Sequence, residues 1–190
     1  MPVETMRYYP DEELSQVCEP VTDFLSEEFF DLLDALEDSL LHYRGVGLAA
    51  NQIGVTKRAF ALDESKLRTN YADEEDFQQT QEAPVRVFIN PEIIAQEGEA
   101  LFDEGCLSMP SVSFKVPRST YIKIRAQDGS GESFEYEATG YHAAAIQHEM
   151  DHLDGKMHFM RSSGVSRRMA MKKYRQFQKT MAKVMRLRKV

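Results

Sequence analysis

No tryptophan and only two cysteines, Cys18 and Cys106, occur among the 190 residues. The missing tryptophan decides nothing. Two cysteines are too few for a disulfide scaffold, and a cytoplasmic setting argues against pairing them. There is no run of eighteen apolar residues, so no membrane span is expected. The first ten residues lack the charged start and apolar stretch of a secretory signal, and the expected location is the cytoplasm. The chain shows no internal repeat, which excludes a repeat array. Apolar residues make up 42% of the chain, an ordinary share for a globular protein. The length reads as a single catalytic domain over residues 1–190.

Acidic residues are missing from one region. From Arg161 onward there are 11 Lys and Arg and no Asp or Glu, so the rest of the chain carries a net charge of −19. An acidic body with a basic tail, residues 161–190, suggests an interaction segment.

Phe29, Leu32, Leu33, Leu36 and Leu40 recur at helical spacing, with Ser26 able to cap and Gly45 suited to an end. The expected helix covers residues 26–43. Residues 58–63 and 85–90 read as strands, and the polar, acidic stretch 64–83 between them as a surface loop. Ile122, Ile124 and Ala126, then Phe134, Tyr136 and Ala138, alternate with polar residues across an Asp128-Gly129-Ser130-Gly131 turn, as in a hairpin. A second helix is expected from Thr139, a plausible cap, to Leu153, with a stop at Gly155. A third is expected over 165–188. The fold class is α+β: mixed or antiparallel sheets packed around a central helix, with a C-terminal helix.

The central helix carries His148-Glu149-Met150-Asp151-His152. Positions i and i+4 share one helix face, so both imidazoles can reach one cation. Glu149 is free to accept a proton from the water that a divalent cation activates. A third protein ligand is needed. His158 offers one, because His148 to His158 matches H-E-x-x-H-x-x-G-x-x-H, the zinc run of metzincin endopeptidases. Cys106, inside Glu104-Gly105-Cys106-Leu107-Ser108-Met109-Pro110, offers the other. The run Gly45-Val46-Gly47-Leu48-Ala49-Ala50-Asn51-Gln52 has little side chain, so its backbone can approach something closely.

Together and in this order, GVGLAANQ, EGCLS and QHEMDH resemble the three signature motifs of peptide deformylases. The resemblance covers most of the chain, from the first helix through His152. It implies a metal-dependent hydrolase that removes the N-formyl group from the formyl-methionine of nascent polypeptides. It takes Cys106, His148 and His152 as the metal ligands and Glu149 as the general base, then the acid for the leaving amine. It makes the Gln52 amide and the Leu107 backbone N–H the donors to the formyl oxygen. The implied cofactor is one divalent ion, Fe2+ in the cell, replaceable by Zn2+, Ni2+ or Co2+. The metzincin alternative, with His148, His152 and His158, lacks a clear Met-turn. A catalytically silent member that binds RNA through its tail is a third reading, against which Glu149 stands intact.

Tyr141, Ala144 and Ala145 precede His148 by seven, four and three residues and share its face. Small residues there leave room for an unbranched apolar side chain such as methionine. Resemblance adds Val46 and Phe102 to that pocket, and gives the backbone of Val46 and Gly47 an extended substrate to pair with. Glu104, Arg118 and Asp151 are candidates to orient the ligands. Many family members carry an arginine where this chain reads Ser111-Val112-Ser113-Phe114-Lys115, so contacts beyond the methionine are not carried over. Tyr174, Phe177, Met181 and Val184, interleaved with Lys and Arg, read as a helix docked on the body with a basic face outward. The family suggests ribosomal RNA as the partner of that face.

Overall fold

The computed structural model describes residues 3–68 and 85–187. Helix α1 runs from Glu27 to Tyr43, with the Ser26 hydroxyl accepting from the Phe29 N–H as the spacing predicts. Its left-handed closing residue is Arg44, one before the expected Gly45. The small-residue run supplies a short strand, β1 (Gly47–Ala49), and a 3-10 turn over Ala50–Ile53. Strand β2 (Ala59–Asp63) leads into a short helix, α2 (Glu64–Arg68), where a loop was expected. The rest of that expected loop lies outside the described residues.

Strand β3 (Val85–Glu97) continues seven residues past its expected end at Asn90. Pro91 follows directly, a residue that cannot donate to a ladder. The chain passes it through a register shift between Ile89 and Glu92, with Asn90 at φ 49°. Two strands were not expected at all, β4 (Ala100–Gly105) and β5 (Ser113–Arg118), which pair as a separate antiparallel ribbon. Strands β6 (Tyr121–Gln127) and β7 (Ser133–Thr139) form the expected hairpin. Helix α3 (Gly140–Leu153) follows, although the Thr139 side chain makes no capping bond. Helix α4 (Gly164–Leu187) closes the described chain.

The main sheet has the order β1-β2-β3-β6-β7, with every neighbour antiparallel. β2 is buried on both faces, and its alternation sorts the core. Ala59 and Ala61 pack with Leu36 and Leu40 of α1 on one side. Phe60 and Leu62 pack with Phe88, Ile122, Ile124 and Ile146 of α3 on the other. A third cluster joins Phe114 and Val116 of β5 to Phe159 and Tyr174, so the ribbon is held by the chain's end. Each large side chain fully buried in this way contributes about 1.5–3 kcal/mol. The α+β arrangement expected from the sequence is the one observed, and α3 lies at its centre, between the sheet and the ribbon. No described helix is long and apolar enough to cross a membrane.

Candidate metal centre

From Ala143 to Leu153 nearly every residue of α3 is buried, polar ones included. A helix buried all round must find partners for its polar groups. Gln147 exchanges two hydrogen bonds with the Ser119 backbone, at 3.1 and 2.9 Å. His148 Nδ1 lies 2.9 Å from Glu104 Oε2. Asp151 accepts from Arg118 and Arg161. His152 Nε2 lies 3.2 Å from Cys106 Sγ.

One ligand atom each from Cys106, His148 and His152 lies within 4.8 Å of the others. The chemistry of this set fits a divalent cation. A thiol and two imidazoles are good ligands for first-row metals. Glu104 accepts from Nδ1 of His148 and so leaves Nε2 for a metal, the usual arrangement for a ligating histidine. Burial opposes charge on His148, but Cys106 and Glu104 outweigh it and raise its pKa well above the ordinary value. Burial, with His148 and His158 nearby, pushes His152 well below it. Cys106, His148 and His152 could hold a divalent cation between them. Burial would also raise the Glu104 carboxyl, but hydrogen bonds from Arg118 and His148 win and hold it at about 2.

His158 is not part of this group. Its ring packs edge-on against Phe114 at 4.7 Å and tilted against His148 at 5.3 Å. Burial first, then His148, lowers its pKa to about 3, so it is neutral.

Glu149 lines the same cavity as His148, with its carboxylate against Gly47 of β1. Burial raises its carboxyl to about 7 against the pull of His148, and Oε2 has no hydrogen-bond partner among the described residues. A carboxylate near neutrality both takes and returns protons at working pH. The Gln52 amide is held in a defined sense. Its Oε1 accepts from the Ala49 N–H at 2.8 Å, and that N–H can only donate. Nε2 is therefore the end that faces Ser108 Oγ at 3.0 Å and Cys106 Sγ at 3.6 Å. The N-terminal segment fixes both partners: Arg7 N donates to Gln52 O at 2.7 Å, and Tyr9 N to Ser108 O at 2.9 Å. Asn51 ties the same turn to α3 through the His152 carbonyl at 2.6 Å.

A cavity of about 360 Å³ opens beside these groups. Of the residues expected there, Val46, Gly47, Gln52, Cys106, Leu107, Tyr141, Ala144, Ala145, His148 and Glu149 line it. Phe102 does not; it sits half-buried on β4 opposite Val116. Pro110, Ser111 and Val112 also line the cavity, the last two from the stretch that departs from the family pattern. Ser108, which receives the Gln52 amide, was missed, though its place in the cysteine motif was a signal.

The chain matches the sequence model of the family described as polypeptide deformylase over residues 3–168. It belongs to that family. A peptide deformylase of Acidobacterium capsulatum is 39% identical over 171 residues, covering 90% of this chain and 93% of that one. One from Chromobacterium violaceum is 40% identical over 151 residues, 78% of this chain and 80% of the other. The crystal structure of a peptide deformylase from Legionella pneumophila superimposes with a TM-score of 0.80 at 34% identity, over 95% of this chain and 98% of that one. Deformylases are metal-dependent hydrolases that remove N-formyl groups from nascent chains, and this is the activity of the chain. The endopeptidase alternative is not favoured.

Proposed function

We propose that Cys106, His148 and His152 are the metal ligands, that Fe2+ is the ion in the cell, and that Glu149, Gln52 and the Leu107 N–H carry the reaction. The observation that supports this reading is the convergence of one sulfur and two imidazoles within 4.8 Å, next to a buried carboxylate and a cavity. When bound, a divalent ion supplies a nucleophile from water near neutral pH. Glu149 takes the proton from that water and returns it to the amine of methionine as the amide bond breaks. Attack on the formyl carbon builds negative charge on its oxygen. Gln52 Nε2 and the Leu107 N–H hold that charge, and donors of this kind contribute about 3 kcal/mol each. Tyr141, Ala144, Ala145 and Val46 receive the methionine side chain, and the backbone of Val46 and Gly47 pairs with the peptide as an added strand.

Formate release from a formyl-Met peptide tests the ligand set. Cys106→Ala is expected to abolish it and His158→Ala to leave most of it. Retained activity in Cys106→Ala, or cleavage of internal peptide bonds that is lost in His158→Ala, would overturn the reading. Metal analysis of anaerobically purified protein identifies the ion.

The same reading gives the chain a cytoplasmic location and the ribosome as a partner. The support is the exposed basic face of α4, with Arg168, Lys172, Arg175 and Lys179 outward. Cutting the chain at Arg161 would not test this cleanly, because Tyr174 is buried in the body and hydrogen-bonded to the Tyr9 carbonyl at 2.9 Å. Reversal of those four charges to Glu is the better probe. It is expected to weaken ribosome binding and flatten its salt dependence while small-peptide activity persists. Unchanged binding would exclude this contact.

A further inference from the structure

We propose that Arg161 is a positioning residue for the metal centre, acting on His148 through Asp151, Arg118 and Glu104. The proposal rests on the reading of Cys106, His148 and His152 as ligands.

Four side chains connect the start of the C-terminal segment to a ligand ring. Arg161 engages both oxygens of Asp151, Nε to Oδ2 and Nη2 to Oδ1, each at 2.6 Å. Arg118 gives only Nη1 to Asp151. It places Nε and Nη2 on the two oxygens of Glu104 at 2.7 and 2.9 Å. Glu104 then accepts from His148 Nδ1 at 2.9 Å.

Charge explains why the second guanidinium is needed. Asp151 and Glu104 are 4% and 5% exposed, and Arg118 is 3% exposed. One buried cation between two buried carboxylates leaves a surplus negative charge beside the Cys106 thiol and Glu149. Arg161 brings the group to neutrality. It also settles a competition. Arg118 has two carboxylates to serve, and with Asp151 already held in a bidentate grip it keeps its own fork on Glu104. If Asp151 loses Arg161, it draws Arg118 away from Glu104. Glu104 is then freer to move, and with it the ring that must present Nε2 to the metal.

Arg161 is itself 45% exposed, so its loss leaves a gap open to water, not a hole in the core. This separates a positioning role from a packing one.

The test uses the full chain loaded with Co2+, read by its visible absorption and by the rate at which excess chelator removes the ion. Arg161→Met is expected to lose cobalt roughly tenfold faster than wild type, the low end for a partner that orients a metal ligand. Its absorption bands are expected to shift as the His148 ring loosens. Arg161→Lys, which keeps the charge without the fork, is expected to lie between the two. If Arg161→Met does not fold, Arg161→Gln, which keeps one donor for Asp151, carries the same expectation with a smaller change. A folded Arg161→Met with the wild-type spectrum and release rate would overturn the proposal. Failure of wild type to bind cobalt would instead overturn the ligand assignment on which it rests.

Discussion

Gly47 lies against Glu149 so closely that a methyl group on its Cα would meet the carboxylate, 2.7 Å from Cδ and 2.8 Å from Cγ. The small side chains of that run serve this approach. β1 is the edge strand of the main sheet, and the missing Cβ lets its backbone lie beside the Glu149 carboxylate on α3. Gly47→Ala is therefore expected to displace Glu149 without touching the metal ligands. Formate release should fall at least about tenfold, a fraction of the 10²–10⁴ that a general base contributes. Metal content should be unchanged. Activity within twofold of wild type would show that the carboxylate has room to move.

Gln52→Leu removes the donor and keeps the approximate volume. The Ala49 N–H orients the Gln52 amide, and in its proposed role Gln52 would meet, already in place, an oxygen that becomes negative only during the reaction. The loss is expected in kcat, roughly a hundredfold, with KM little changed. The Ala49 N–H also loses its acceptor, at a cost of about 1 kcal/mol in stability. A raised KM with normal kcat would instead make Gln52 an ordinary substrate contact.

Parts of this site are legible in the sequence because the chemistry fixes residue type and spacing. His148 and His152 share a helix face whatever surrounds them. Gly47 announces a close approach but not to what, since Glu149 lies far along the chain. The ribbon of β4 and β5 was missed for a physical reason. Phe114 and Val116 alternate inward on β5, but the next inward position is Arg118, and on β4 an inward position holds Glu104. Alternation assigns charged residues to solvent. The strands are hidden where the pattern is broken by Glu104, which is bonded to His148, and by Arg118, which grips Glu104. Arg161 was hidden in the same way, as one of the basic residues of a tail whose charge looked entirely external.

Cys18 gives a pH prediction. Burial raises its thiol to about 11, with Arg58 pulling down and Asp154 pushing up. At pH 8 about one molecule in a thousand carries the thiolate, the reactive form. In Cys106→Ala, where Cys18 is the remaining thiol, a disulfide reagent is expected to label slowly in the folded state and fast after unfolding. The sign for stability follows. An unfolded chain ionises this thiol at a lower pH than the folded one, so stability is full below about 9 and falls as pH rises toward about 11. Cys18→Ala should flatten that part of the denaturation profile. An unaltered alkaline slope would assign it to other groups.

Lys66 was not singled out by any sequence pattern, yet it holds the wall of the cleft. Its Nζ donates to the Gly45 carbonyl at 2.8 Å and pairs with Asp63 Oδ2 at 2.9 Å. The Asp63 N–H donates to the Val46 carbonyl at 2.8 Å. Burial would raise the Asp63 carboxyl, but hydrogen bonds from Ser65 and Lys66 outweigh it and hold the group below its ordinary range. The corner between β2 and α2 thus grips the backbone of Gly45 and Val46, part of the run proposed to pair with the peptide. Lys66→Met removes one of these grips, worth about 1 kcal/mol, or several-fold in an equilibrium. For a formyl-Met tripeptide, KM is expected to rise three- to tenfold with kcat nearly constant, and Lys66→Arg should restore it. A formyl-Met amide has no downstream backbone to align, so its KM should change less. Equal changes for the two substrates would move the effect of Lys66 from the paired strand to the methionine pocket, because only the strand distinguishes a long substrate from a short one.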